Sequence, residues 1–232
     1  MKIGVMVAMD KELALFGESP SYKFENEVNV HGFIFREMSV VGTDTELVIA
    51  RSGIGKANAA ACAALLIDRF NPEKIVSTGV CGCLAREGVA QRDIICAVSV
   101  RYHDVWCAEA PGQMQGSPQE FLSPIITDDL IEKMREKAPG KVLKGRMLSG
   151  DWFVDTVGKA RAIRDDIPTV DMPDGIDMES GAIAQVCDRF GIPFGSIRIV
   201  SDTPLRADAP SYFDFWDTAA ENLFDTVEAV WK

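Results

Sequence analysis

The stretch "KIGVMVAM", residues 2–9, decides the fold class. Its apolar residues follow one another without alternation. A strand of this kind is buried on both faces, so helices must cover both sides of the sheet that contains it. The run then stops at Asp10, Lys11 and Glu12. Charged residues at the carboxyl end of a buried strand are either solvated loop residues or the beginning of a site.

Outward from this strand, short apolar runs alternate with helical patterns. "HGFIFREMSV" (31–40) and "TELVIARSG" (45–53) read as two strands of a meander. "GKANAAACAALLIDRF" (55–70) is alanine-rich and helical, and "NPE" punctuates its end. "KIVSTGV" (74–80) is a buried strand and "DIICAVSVRYHD" (93–104) a long one. A loop rich in Gly and Pro is expected over 108–123. "DDLIEKMREKA" reads as an amphipathic helix, "KVLKGRMLSG" as a strand and "VGKARAIRDD" as a helix. "MESGAIAQVCDRF" places Met178, Ala182, Ile183, Val186 and Phe190 on one helical face. "IPFGSIRIVSD" is a further buried strand, and residues 212–231 form a closing helix. Strands alternating with helices predict an α/β fold, a three-layer α/β/α sandwich around a central mixed sheet. The 232 residues, 47% of them hydrophobic, are expected to form one domain over 1–232, with no repeat and no long linker.

Lys and Arg number 24 against 35 Asp and Glu, a formal charge of -11. Such a surface repels phosphates and anionic lipid, which argues against nucleic acid and membrane partners. The six cysteines, Cys62, Cys81, Cys83, Cys96, Cys107 and Cys187, mostly lie in apolar segments. They read as reduced buried thiols. With only His31 and His103 available and no paired cysteines at zinc-finger spacing, no metal site is expected. Residues 3–9 are too short to span a bilayer, and no signal-peptide pattern follows them. The expected location is the cytoplasm.

Sites on α/β sheets collect at the carboxyl ends of strands. The polar residues there are Asp10 and Glu12, Ser52 to Lys56, Thr78 to Cys83, Ser149 to Asp151, and Ser201 with Asp202. Arg198 interrupts the apolar run 197–200. If it is buried it needs an anionic partner; the alternative is an edge strand with Arg198 in solvent. Asp202 alone is ordinary turn chemistry. In "DGIDMESGAIAQ", Asp177 or Ser180 reads as a helix cap. Glu179 either favours the positive helix end or grips a vicinal diol. "SGIGK" and "TGVCGC" are tight glycine turns with weak anion-binding character.

Taken together and in order, "KIGVMVAMDKE", "RSGIGKANAA", "STGVCGCLA", "RYHD", "LSGDWFV", "DMESGAIAQVC" and "RIVSDTP" resemble the purine nucleoside phosphorylase/uridine phosphorylase superfamily. Within it, the resemblance is strongest to its 5'-methylthioadenosine/S-adenosylhomocysteine nucleosidases, and it spans nearly the whole chain. It implies a nucleoside phosphorylase-like fold, no cofactor, a small-molecule nucleoside substrate and a homodimer. It also implies roles. Glu12 matches the carboxylate that positions the attacking water, with Arg198 near the water site. Asp202 matches the acid facing N7 of the purine. Glu179 matches the ribose-binding glutamate, with Met178 under the sugar. Phe153 matches the aromatic residue stacked on adenine, and Val154 lies where backbone groups read the base edge. Met9, Ile54 and Phe213 match the apolar lining near the ribose and its 5' substituent.

The chemistry agrees with these roles. Breaking an N-glycosidic bond builds positive charge on the sugar and negative charge on the leaving purine. One carboxylic acid protonates the base and a carboxylate on the other face activates water, as in glycoside hydrolysis. Each such group is worth ~10²- to 10⁴-fold. Asp202 then needs a raised pKa, and Glu12 is expected to stay ionised. The superfamily's phosphorylases carry a Gly-Asp-Pro stretch and an arginine after the first strand, where this chain has "AMDKE". A carboxylate there repels a phosphate dianion, so hydrolysis is favoured over the alternative, a phosphate-dependent nucleoside phosphorylase. Lys11 and Lys56 are the cations that bear against this argument. A third reading is a nucleoside-binding module without turnover. Three departures from the pattern bear on the substrate more than on the reaction: Val80 and Cys81 in place of a hydroxyl and a small residue, an insertion at 173–175, and a poorly matching loop over 105–117. Asp10 reads as the cap of the following helix.

Overall fold

A computed structural model describes residues 1–85, 87–105, 120–167, 170–205 and 223–232. The opening run forms β1 (Lys2–Val7) and turns into α1 (Asp10–Glu18). β2 (Tyr22–Val30), β3 (Phe33–Val40) and β4 (Glu46–Arg51) follow as an antiparallel meander. Then come α2 (Lys56–Phe70), β5 (Lys74–Cys83), β6 (Ile94–Tyr102), β7 (Glu120–Leu122) and α3 (Asp128–Arg135). β8 (Val142–Ser149), α4 (Val157–Asp166), β9 (Asp174–Asp177), α5 (Ser180–Phe190) and β10 (Phe194–Asp202) complete the order. Among the described residues no helix is long and apolar enough to cross a membrane.

The strands form one mixed sheet in the order β10-β6-β8-β9-β5-β1-β4-β3-β2, with β7 on β6. β1 lies between β4 and β5, parallel to both. Its side chains alternate between two cores. Ile3, Val5 and Val7 pack with Leu13 and Phe16 of α1 and Ile131 and Met134 of α3. Met6 packs on the other side with Ala59, Cys62, Ala63 and Leu66 of α2 and Ala182 and Ile183 of α5. Both faces of the sheet are therefore covered, as the unbroken apolar pattern requires. Each buried Leu or Ile in these layers contributes ~1.5–3 kcal/mol. α2 ends where Asn71 takes the left-handed conformation (φ 46°) and its N–H bonds to the Ile67 carbonyl.

β10 pairs with β5 on one side and with β6 on the other. The path β10-β6-β8-β9-β5 consequently closes on itself, and Arg198 has no solvent edge to reach. It is 2% exposed, which removes the edge-strand alternative.

Several local expectations are corrected. Met9, not Asp10, occupies the cap position of α1; Asp10 is the first helical residue, and its carboxylate pairs with Arg51 Nε at 3.1 Å. Neither Asp177 nor Ser180 occupies the cap position of α5, which is held by Glu179; the Asp177 carboxylate instead accepts the Ser180 N–H from outside the helix. Phe190 is exposed at the end of α5 rather than on its buried face. Residues 120–122 of the expected loop pair with β6, while 106–119, including Trp106 and Cys107, lie outside the described residues. Of the expected closing helix, 223–227 are helical, with a 3-10 turn at Glu228–Val230; most of the rest lies outside the described residues.

Residues 173–175, an insertion in the sequence reading, lead into β9. Asp174 is 4% exposed and faces Arg146 of β8, which is 2% exposed. Arg146 Nε and Nη2 donate to the two oxygens of Asp174 at 2.7 and 3.1 Å. This bidentate pair fixes the start of the strand that carries Asp177 and leads to Glu179. Removing one partner leaves a buried charge uncompensated. Asp174→Ala should therefore lower the unfolding free energy by about 3–5 kcal/mol in a urea titration; a loss of less than about 1 kcal/mol would show that the pair does not anchor β9.

Candidate active site

Strand ends from both halves of the sheet converge on one cleft, open to solvent at its mouth. β1 leads to Ala8, Met9 and Glu12; β4 leads to Ile54; the end of β5 supplies Val80, Cys81 and Gly82. The loop after β8 brings Trp152, Phe153 and Val154. β9 and its exit bring Ile176, Asp177, Met178 and Glu179, and β10 brings Arg198, Ser201 and Asp202. Every sequence-selected site residue among the described ones lies in this lining: Glu12, Arg198, Asp202, Met9, Ile54, Phe153, Val154, Met178 and Glu179. Phe213 lies outside the described residues. Asp177, weighed in the sequence only as a cap, and Trp152 belong to the lining as well. Nothing in the order of residues marks Asp177 as the partner of an arginine 21 positions later.

Arg198 organises the polar floor. Its Nη2 lies 2.9 Å from Asp177 Oδ2 and 3.9 Å from Glu179 Oε2. Nη1 donates to the Thr78 carbonyl at 3.0 Å, and Nη2 donates to Ser77 Oγ at 2.8 Å. Gly79, the next residue of β5, has φ +142°. A Cβ there would fall on Glu12 Oε1 and Arg198 Nη1, so only glycine lets both groups approach the strand.

Glu12 is 3% exposed and reaches back over its own helix start. Its Oε2 accepts the Ala8 and Met9 N–H groups at 2.9 and 3.0 Å, one half of a capping box. Burial pushes its pKa up, opposed by Arg198 and by backbone N–H groups. Arg198 thus favours the ionised form as the sequence suggests, but desolvation outweighs it. Such a carboxylate is a stronger base than an exposed one.

Glu179 Oε1 accepts the Gly55 N–H at 3.0 Å. Burial, and then the neighbouring Asp177 carboxylate, push its pKa up to about 7; Arg198 and the Gly55 amide oppose the rise.

Asp202 ends β10 just after a bulge: Val200 pairs with Cys81 and Asp202 with Gly82, leaving Ser201 between them without a partner in the ladder. The bulge re-aims the strand end. Ser201 Oγ lies 3.0 Å from the Cys81 carbonyl and 2.7 Å from Asp202 Oδ1. One hydroxyl proton serves only one acceptor at a time, and when it goes to Asp202 it favours the ionised carboxylate. Burial raises the Asp202 pKa, and Asp155 adds to it against the Ser201 bond. The cleft therefore presents a carboxyl biased toward its acid form and, elsewhere in the same lining, carboxylates held beside a guanidinium. Lys56 is not available as an anion receptor, because its Nζ lies 2.6 Å from Asp104 Oδ2.

Comparison with known proteins bears on the family and the fold. The sequence model of the phosphorylase superfamily matches residues 2–232. A 5'-methylthioadenosine/S-adenosylhomocysteine nucleosidase of Bacillus pumilus is 32% identical over 98% of this chain and 96% of its own length. The crystal structure of the Neisseria meningitidis nucleosidase of that name, in complex with methylthio-immucillin-A, is 32% identical. It superposes with a TM-score of 0.82 over 99% of this chain and 97% of its own. An S-adenosylhomocysteine nucleosidase from Streptococcus pyogenes, in complex with 5-methylthiotubericidin, is 27% identical, with a TM-score of 0.83 over 99% and 95% of the two chains.

The raised pKa of Glu179 has a stability consequence. Folding disfavours its ionised form, so its contribution to stability is complete below the unfolded value near 4.5 and is lost as pH rises through about 7. Glu179→Gln removes the ionisation. At pH 8 that variant should unfold at higher denaturant than wild type, by about 2–3 kcal/mol, and the gain should vanish near pH 4. Equal stability of the two proteins at pH 8 would contradict the charge arrangement described here.

Proposed function

Because the chain belongs to the phosphorylase superfamily, we propose that it hydrolyses the N-glycosidic bond of 5'-substituted adenosines, methylthioadenosine or S-adenosylhomocysteine or similar, and releases adenine. The observation that carries this reading is the presence, in one cleft, of an acid-biased Asp202 and a buried Glu12 beside Arg198. We assign Asp202 as the general acid and Glu12 as the general base. As C1'–N9 breaks, its electron pair goes to the purine and N7 takes the proton of Asp202. Glu12 takes a proton from the attacking water as its oxygen bonds to C1'. Solvent returns that proton and resets the pair. Glu179 accepts from the ribose hydroxyls, and Phe153 stacks on the base beside the backbone of Val154. Met9, Ile54 and Met178 line the ribose and its 5' group, a role we extend to Phe213. The apolar character of these residues supports a thioether substituent.

Water rather than phosphate is the co-substrate in this reading. Among the described lining residues the only cation is Arg198, and Asp177, Glu179 and Glu12 already surround it. A phosphate dianion would meet carboxylates at every approach to that guanidinium.

We also propose a cytoplasmic homodimer. Support for the compartment comes from Cys62, Cys81, Cys83, Cys96 and Cys187, all buried and free of disulfides. Support for the dimer comes from the half-exposed apolar side chains Ile54, Trp152 and Phe153 at the cleft mouth.

Incubation with methylthioadenosine should yield free adenine at a rate that does not depend on added phosphate. Strict dependence on phosphate would replace hydrolysis by phosphorolysis. Asp202→Asn should lower kcat by about 10²-fold or more with an unaltered circular dichroism spectrum; turnover within a few-fold of wild type would remove Asp202 from the acid role.

A further inference from the structure

Three loops meet at the entry to α2. The helix has Gly55 at its cap position, with no side chain of its own to satisfy the first-turn N–H groups. Remote carboxylates take them. Glu179 Oε1 accepts from Gly55, and Asp151 Oδ1, from the loop after β8, accepts from Lys56 at 2.7 Å. Asp151 is itself held: its N–H donates to Asp104 Oδ2 at 2.8 Å. The same oxygen receives the Lys56 ammonium at 2.6 Å. That ammonium lies 5.3 Å from the Tyr102 ring centroid. Gly55 adopts φ +94°, and a Cβ there would stand 3.1 Å from Asp151 Oδ1. The knot ties residues 55–56, 104 and 151 together immediately behind Glu179.

We propose that Asp151 and Asp104 are positioning residues for Glu179: through Lys56 they hold the Gly55 N–H on its carboxylate and keep it in the form that accepts both hydroxyls of a vicinal diol. The ribose role of Glu179 rests on the functional reading above. The groups facing Glu179 are the Asp177 and Glu12 carboxylates, which disfavour its charge, and the Arg198 guanidinium and Gly55 amide, which favour it. The amide is the member of this set that the knot controls. If Asp151 loses its acceptor, the first turn of α2 is uncapped and the amide drifts from Glu179. Glu179 then binds a proton more readily, and a protonated carboxyl grips a diol less well.

The sign of the effect separates positioning from simple charge removal. Deleting a nearby negative charge lowers a carboxyl pKa, whereas losing the amide raises it. In Asp151→Ala the Glu179 titration, followed by carboxyl ¹³C NMR and assigned with Glu179→Gln, should move up by about one pH unit. KM for methylthioadenosine at pH 7 should rise about fivefold and recover toward wild type as pH increases, with kcat less affected. Asp151→Asn keeps an oxygen facing the Lys56 N–H and should stay within about twofold of wild type. An unmoved or lowered Glu179 titration in Asp151→Ala, or an Asn variant displaced as far as the Ala variant, overturns the proposal. If Asp151→Ala does not fold, Asp104→Ala carries the same measurement with the same expected direction and the same overturning result. A wild-type protein that releases no adenine would count against the functional reading alone, since the NMR titration judges the knot without turnover.

Discussion

A guanidinium buried within the sheet is the constraint on which the site depends. Arg198 cannot leave β10, cannot reach water and cannot lose its proton. It must therefore be met by anions and carbonyls, and the surrounding strands supply them: Asp177 from β9, Ser77 and the Thr78 carbonyl from β5. Glu12 and Glu179 lie close enough to feel the same charge. One cation among three carboxylates leaves the group over-supplied with negative charge. Burial then makes it costly for every carboxylate to ionise at once, which places Glu179 near neutrality and pushes Glu12 up. The floor of the cleft thus holds more carboxylates than one guanidinium offsets, and burial raises the proton affinity of Glu179 and Glu12 against its pull.

The sheet topology makes that arrangement rigid. β10 is gripped on both sides, by β5 and β6, so its side chains have no edge along which to relax. β9, only four residues long, is fixed by the Arg146–Asp174 pair at its start and by the Asp177–Arg198 pair at its end. Gly79 removes the one Cβ that would separate Glu12 and Arg198 from the strand beneath them. In the same lining, Asp202 sits beyond a bulge, where the ladder is interrupted and the strand end can turn toward the pocket. Rigid strands hold the charges, and a local irregularity aims the acid.

Much of this was legible in the residues. The unbroken apolar run of β1 correctly implied two covered faces, because a strand with one solvated face would have alternated. Arg198 in an apolar strand correctly implied a buried ion pair, because an unpaired charge there is prohibitive. The bounds of α4 and the body of α2 followed from apolar spacing and flanking turn residues. β2 did not emerge from the pattern: it is exposed along most of Tyr22–Val30, so burial left no alternation to read. β9 was hidden by Pro173, Asp174 and Gly175, which in sequence spell a turn; Arg146 from another strand turns that segment into buried sheet.

By itself, then, the sequence determined the class of fold and the strand ends at which its polar residues collect. These depend on local periodicity and on the cost of burying charge, and both are properties of short segments. The tertiary structure decided which anion meets Arg198, that the sheet closes on itself around β10, and that Asp151 and Asp104 stand behind Glu179. Such pairings join residues far apart in the chain, and in sequence Asp177 looks no different from any helix cap. Only the folded geometry, which selects one partner among many of equal chemistry, distinguishes them.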